Sequence, residues 1–223
     1  MEVIQKAIDE GRTTLSEHES KEVLRAYDIP VNRELEVADD QALLEAIRDI
    51  GFPMVLKGSA SDLSHKTERG LVHVDIRNEQ EAVTAFHKIK NELKQNGGRV
   101  LVQEMVKGER ELVIGLTHDD RFGPCIMFGL GGIFTEILKD TAFRVAPIEK
   151  RDALEMMQEI KARKILEPVR GMPAADLDKL SDILIKIGAI GLEQDAVKEI
   201  DINPVILSGS NPVAVDALIV LKS

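Results

Sequence analysis

The sequence has no tryptophan, one tyrosine and one cysteine, and aromatic residues make up only 3% of it. So few aromatics leave little on which bases could stack, which argues against a single-stranded nucleic-acid platform. A lone Cys125 excludes an intrachain disulfide and a multi-cysteine zinc cage, and it agrees with a reducing compartment. No apolar run approaches the ~20 residues that cross a bilayer. Residues 1–10 read as a polar amphipathic helix and not as a secretion signal. The expectation is a cytoplasmic protein without membrane association. Cations are in the minority, 29 Lys and Arg against 39 Asp and Glu, for a formal charge of −10. That balance disfavours nucleic acid and anionic membranes as partners, though it leaves room for a local cationic site. No Gly-Lys dipeptide exists, so there is no Walker A loop. Gly-x-Ser-x-Gly and His-Glu-x-x-His are missing as well.

What is present alternates. The hydrophobic content of 43% suffices for one large core or two small lobes. Residues 1–11 suit a helix, and Ser16-Glu17-His18-Glu19 is a capping-box pattern that opens another, stopped by Pro30. A short strand at 33–37, a helix from Asp39 to Gly51 and a strand at 53–56 follow. Next come a small-residue loop, a strand at 71–76 and a helix capped by Asn78 and Glu81. Beyond residue 98 three strands arrive in quick succession, at 99–106, 110–117 and 124–130. Helices at 150–160 and 174–190 and a hairpin of 197–207 with 213–221 complete the chain. The expected class is α+β. An N-terminal α/β subdomain (15–100) and a mainly antiparallel C-terminal one (101–223) would form a single unit, 1–223, around a cleft.

Three segments carry candidate chemistry. The first delivers Lys57 at a strand end and His65 in the run Ser64-His65-Lys66-Thr67. Neutral imidazole is a nucleophile near pH 7, and neighbouring cations favour incoming phosphate. Lys57 also fits a snorkelling strand-end lysine, and His65 an ordinary loop histidine. The second is the C-terminal hairpin. Strand alternation puts Glu199, Asp201 and Asn203 on one face. A tight turn at Gly209-Ser210 sets Asn203 opposite Asp216. Such oxygens suit a hard cation such as Mg²⁺; the other reading is the wet face of an edge hairpin. Asp216 interrupts an otherwise apolar run, where an unpartnered carboxylate is costly. The third is Gly129-Leu130-Gly131-Gly132-Ile133-Phe134, whose backbone N–H groups can approach phosphate. Its sixth position is Phe134, so it is not a dinucleotide fingerprint. Glu136, Asp140 and Arg144 follow at spacings that suit either a cleft or solvated ion pairs. Gln103, Glu104 and Met105 end one strand, where backbone groups could meet a purine edge, and Glu111 lies on the next.

Taken in order, these segments resemble the β subunit, the ATP-grasp part, of ADP-forming acetyl-CoA (acyl-CoA) synthetases, relatives of succinyl-CoA synthetase. The likeness rests on Val55-Leu56-Lys57 through Ser64-His65-Lys66-Thr67, on Val102-Gln103-Glu104-Met105 through Glu111-Leu112-Val113-Ile114-Gly115, and on Glu199-Ile200-Asp201-Ile202-Asn203-Pro204 with Val215-Asp216. It implies an ATP-grasp fold, two α/β subdomains enclosing a nucleotide cleft. It implies that Lys57 contacts nucleotide phosphates, that Gln103, Glu104, Met105 and Glu111 line the nucleotide pocket, and that Asn203 and Asp216, with Asp201 nearby, bind Mg²⁺. Gly131, Gly132, Glu136 and Arg144 are further phosphate-loop or cleft candidates. His65 matches a second phosphohistidine, which relays a phosphoryl group between a histidine of a partner α subunit and ADP. The implied reaction is acyl-CoA + ADP + phosphate ⇌ acid + CoA + ATP, in an α₂β₂ assembly whose α subunit carries the CoA-binding part. Many family members have Gly-Gly just after the histidine loop, where this chain has Arg69-Gly70. The competing expectation is an ATP-grasp carboxylate–amine ligase, which has no need of His65.

Overall fold

Four segments with buried apolar positions form the first sheet: β1 (Glu34–Val37), β2 (Met54–Ser59), β3 (Val72–Ile76) and β4 (Arg99–Glu104). A computed structural model, which describes residues 1–59, 70–93, 98–132 and 140–222, pairs them all antiparallel in the order β1-β4-β2-β3. Helices α3 (Asp40–Ile50) and α4 (Glu79–Leu93) cover one face. Asp39 caps the first by accepting from Ala42 N at 2.9 Å, and Asn78 caps the second through Glu81 N at 2.9 Å. Leu43, Ile47, Met54, Leu56, Phe86 and Val102 are among the side chains that fill the core between helices and sheet.

Two features of this sheet differ from the sequence reading. Residues 99–106 were grouped there with the strands that follow, yet Gln103 pairs with both Glu34 and Val55. Proximity along the chain does not choose a strand's partner. β4 is central because Val100 and Val102 fill the core, and both its edges are hydrogen-bonded. β2 also runs past Leu56, so that Lys57, Gly58 and Ser59 pair with Leu101, Val100 and Arg99. Lys57 therefore stands inside a strand, on the face turned away from the helices.

The other sheet has the order β10-β8-β5-β6-β7, with β9 also paired to β8. Its strands are β5 (Glu111–Asp119), β6 (Gly123–Leu130), β7 (Thr141–Val145), β8 (Val197–Ser208), β9 (Asn211–Ala214) and β10 (Leu218–Leu221). The sequence reading had no β7, and it had one strand where β9 and β10 stand, separated by residues 215–217. Helices α5 (Lys150–Glu159) and α6 (Leu177–Glu193) pack on this sheet. The helices α1 (Glu2–Asp9) and α2 (Glu17–Ala26) precede β1. Ile4, Val23 and Leu24 join the core that holds Leu112, Phe128, Ile183, Ile187 and Ile202. Residues 13–15 close the edge of β10, with Leu15 N donating to Ile219 O at 3.0 Å and Leu221 N to Thr13 O at 2.7 Å.

Contacts divide the chain into two units, each with its own core. One is Met1–Leu15, Glu19–Val31 and Val106–Ser223; the smaller is Ser16–His18 and Asn32–Met105. Among the described residues no helix is long and apolar enough to cross a membrane.

In the larger unit, Arg110 is 4% exposed and donates to four carbonyls: Ile165 at 3.1 Å, Glu167 at 3.4 Å, Pro173 at 2.8 Å and Gly209 at 2.7 Å. A planar guanidinium presents five N–H donors in a fixed fork, so one side chain ties the segment after α5 to the turn between β8 and β9. Replacing Arg110 with methionine leaves those carbonyls without this donor. The expected cost is roughly 3 kcal/mol of unfolding free energy, read by denaturant titration.

Candidate functional site

On the face of the smaller sheet turned away from α3 and α4, Lys57 Nζ donates to Glu17 Oε1 at 2.8 Å. The same oxygen accepts from Gln103 Nε2 at 2.6 Å, and Gln103 Nε2 also reaches Glu34 Oε2 at 2.9 Å. Asn32 Nδ2 donates to Gln103 Oε1 at 3.4 Å, and His18 Nδ1 lies 2.9 Å from Glu34 Oε1. The geometry follows from register: Gln103 is opposite Glu34 on one side and Val55 on the other, and Lys57 is two residues past Val55 on the same face. The side chains of Glu17 and Glu34 are fully shielded from solvent, and that of Lys57 is 10% exposed. Buried charges persist only where they are paired and hydrogen-bonded, which these are. The Gln103 side chain thus points to Glu17 and Glu34. Glu104 accepts the Arg33 N–H at 2.8 Å, and Met105 is half-buried at the end of the unit.

The larger unit gathers a second group. Gly131 N donates to the Glu111 carbonyl at 2.9 Å, and Gly132 N to Asn203 Oδ1 at 3.2 Å. A Cβ on Gly131 would sit 2.5 Å from the Leu112 carbonyl oxygen, and one on Gly132, whose φ is +64°, would sit 2.2 Å from Glu111 Oε2. Only glycine lets the backbone come this close to β5. Glu111, Gly131, Gly132 and Asn203 therefore share one spot.

Asp201 lies two residues before Asn203 on the same face of β8. Its carboxyl is raised above the ordinary aspartate range, first by loss of solvation and then by the negative charge of Asp216. The hairpin register is the expected one: Ser208 faces Asn211 across Gly209-Ser210, and Val205 faces Ala214. Val215 N still donates to the Pro204 carbonyl at 3.2 Å, one residue past the strand, which carries that register towards Asn203 and Asp216. Two carboxylates and an amide oxygen are hard donors, and the mutual repulsion of the acids is what a divalent cation relieves. By the chemistry of its donors this set fits Mg²⁺. Among the described residues no three His, Cys, Asp or Glu cluster for a metal. The adjoining depression, about 390 Å³, is lined by Val113, Met127, Phe143, Glu199, Asp201 and Asn203, among others.

Other candidates lie elsewhere. Arg144 pairs with Glu159 on α5, with one contact at 3.0 Å, and lies 3.8 Å from Glu155. Asp140 accepts from Lys161 N and Ala162 N at 2.7 Å each, which closes the turn after α5. A groove of about 600 Å³ beside β3 and α4 holds none of the candidates. His65 and Glu136 lie outside the described residues. Glu17 and Glu34 escaped the sequence reading, because a glutamate in a helix's first turn or in a short strand carries no local sign that it will be buried.

A family model described as an ATP-grasp domain matches residues 6–221, and the chain belongs to that family. Within it, the chain is 41% identical to the beta subunit of the ADP-forming acetate–CoA ligase I of Pyrococcus furiosus, over 99% of this chain and 97% of that one. It is 38% identical to the ADP-forming acetate–CoA ligase I of Archaeoglobus fulgidus, where 99% of this chain matches 33% of a longer one. The part is thus a separate subunit in one relative and a portion of a longer chain in another. Among solved structures, acetyl-coenzyme A synthetase 1 of Ca. Korarchaeum cryptofilum matches with a TM-score of 0.88 and 40% identity over 99% of both chains. That structure holds coenzyme A and Mg-AMPPCP, with its phosphohistidine segment pointing towards the nucleotide binding site.

Because the folded Asp201 carboxyl holds its proton more tightly than an unfolded one, its contribution to stability is complete below the ordinary aspartate range. That contribution is lost as pH rises through the raised value. Asp201→Asn is therefore expected to raise the thermal midpoint at pH 7 in chelator, and to lose that advantage near pH 3. Added Mg²⁺ should stabilise the native chain more than the variant.

Proposed function

We propose that this chain is the nucleotide-binding β subunit of an ADP-forming acyl-CoA synthetase. It exchanges a phosphoryl group between a histidine of a partner α subunit and ADP or ATP through its own His65. The observation that carries this reading is the end-to-end likeness to a beta subunit of an acetate–CoA ligase. In this reading the Lys57 ammonium contacts the nucleotide phosphates. Glu104, Met105 and Glu111 line the nucleotide, with backbone groups of residues 104–105 at the base, while Gln103 acts from behind through Glu17. Backbone N–H groups near Gly131 and Gly132 favour phosphate approach. Asp201, Asn203 and Asp216 hold Mg²⁺, which supplies charge neutralisation to the phosphates when bound. Phosphoryl transfer needs little covalent help beyond positioning and charge stabilisation, and a histidine relay divides one transfer into two. The α subunit brings the CoA-binding part and the first phosphohistidine, in an α₂β₂ assembly.

The test is labelling with γ-phosphoryl-labelled Mg-ATP, with and without the α subunit. The expected adduct is acid-labile and alkali-stable, maps to the His65 peptide and is absent from His65→Ala. Tight Mg-ATP binding with no label on His65, even in the presence of the α subunit, would overturn the relay.

A further inference from the structure

The Lys57 ammonium is held by a support that the family likeness does not explain. Glu17 is the first residue of α2, yet its carboxylate lies over the smaller sheet with no solvent exposure. One of its oxygens takes both the Lys57 ammonium, at 2.8 Å, and the Gln103 amide, at 2.6 Å. The Gln103 amide is fixed in turn. Its Nε2 bridges to Glu34 at 2.9 Å, and its Oε1 accepts from Asn32 at 3.4 Å. Asn32, Gln103, Glu17 and Lys57 thus form one hydrogen-bonded series inside a single unit. Each member aims the next.

A buried ion pair is a poor device for stability, since apolar residues of similar volume usually serve as well. It is a good device for aim. An ammonium on four rotatable carbons has many rotamers to lose. A carboxylate anchored from behind removes that freedom before any ligand arrives. The Glu17 bond takes one of the three N–H donors of the ammonium.

We infer that Glu17, anchored by Gln103, is a positioning residue that sets the Lys57 ammonium for a nucleoside diphosphate or triphosphate. This rests on the reading of Lys57 as a phosphate contact. Removing the aim costs affinity for Mg-nucleotide, and it costs it only through Lys57.

The experiment is a double-mutant cycle on the full chain, with Mg-ADP binding read by calorimetry and folding by thermal melting. Lys57→Met is expected to abolish or greatly weaken binding. Glu17→Ala should weaken it about 10–100-fold, the range seen when a group that orients a binding residue is removed. The double variant should bind no more weakly than Lys57→Met alone. A Glu17→Ala chain that binds as well as the native one, or a loss that adds in full on the Lys57→Met background, overturns the inference. If Lys57→Met itself binds normally, the phosphate role of Lys57 falls, and the inference with it.

Should Glu17→Ala fail to fold, the isosteric Glu17→Gln supplies a reading that needs no nucleotide. Modification of Lys57 by acetic anhydride, mapped by mass spectrometry, is expected to be several-fold faster in Glu17→Gln than in the native chain. An unchanged rate means that Glu17 does not hold the ammonium.

Discussion

Strand β8 is bonded along both edges, to β5 on one side and to β9 and β10 on the other. This double pairing fixes its register, and a strand of period two cannot slip by one residue without exchanging its faces. One extra residue in β8 opposite Leu112–Ile114 of β5 shifts the alternation between Ile202 and Val205, so Ile200 and Ile202 before it and Val205 and Leu207 after it all enter the core, while Glu199, Asp201 and Asn203 line the open depression. The neighbouring β5 then decides where the glycine turn goes. Gly131 is tied to the Glu111 carbonyl at a backbone distance that a side chain would forbid, and Gly132, in the left-handed region, to the Asn203 amide oxygen. The acid face and the glycine turn are two consequences of one register.

Charge is handled in opposite ways in the two units. In the smaller one, Lys57 faces Glu17, and Glu34 takes the Gln103 amide and the neighbouring His18. Every one of these groups has a complementary neighbour, so the cluster is at rest without a ligand and its geometry is set in advance. In the larger one, the Asp201 carboxyl is raised first by loss of solvation and then by the like charge of Asp216.

The individual strands and helices were legible because their signals are local. The Asp39 and Asn78 caps, the Gly51 stop and the Gly209-Ser210 turn all act over three or four residues. The acid face of β8 was legible for the same reason, since alternation along one strand is a local pattern. β7 was not, because five residues with Arg144 among them show little alternation. The break between β9 and β10 was hidden too, inside a run that reads as continuously apolar. Spacing left Arg144 and Asp140 open between a cleft and ion pairs, because their partners, Glu159 and the N–H groups of residues 161 and 162, come from another segment altogether.

By itself the sequence determined the α+β class, the candidate acids Asp201 and Asp216 with the amide Asn203, the lysine Lys57 and the glycines of the turn. Each of these follows from residue type and short-range periodicity. Only the tertiary structure decided that residues 99–104 complete the first sheet and not the second. It alone brought Glu17, 40 positions from Lys57, against that ammonium. It also set the Gln103 side chain against Glu17 and Glu34. The physical reason is that strand partnership and the burial of charge are settled by long-range packing, in which a residue's neighbours are chosen by the core and not by the chain.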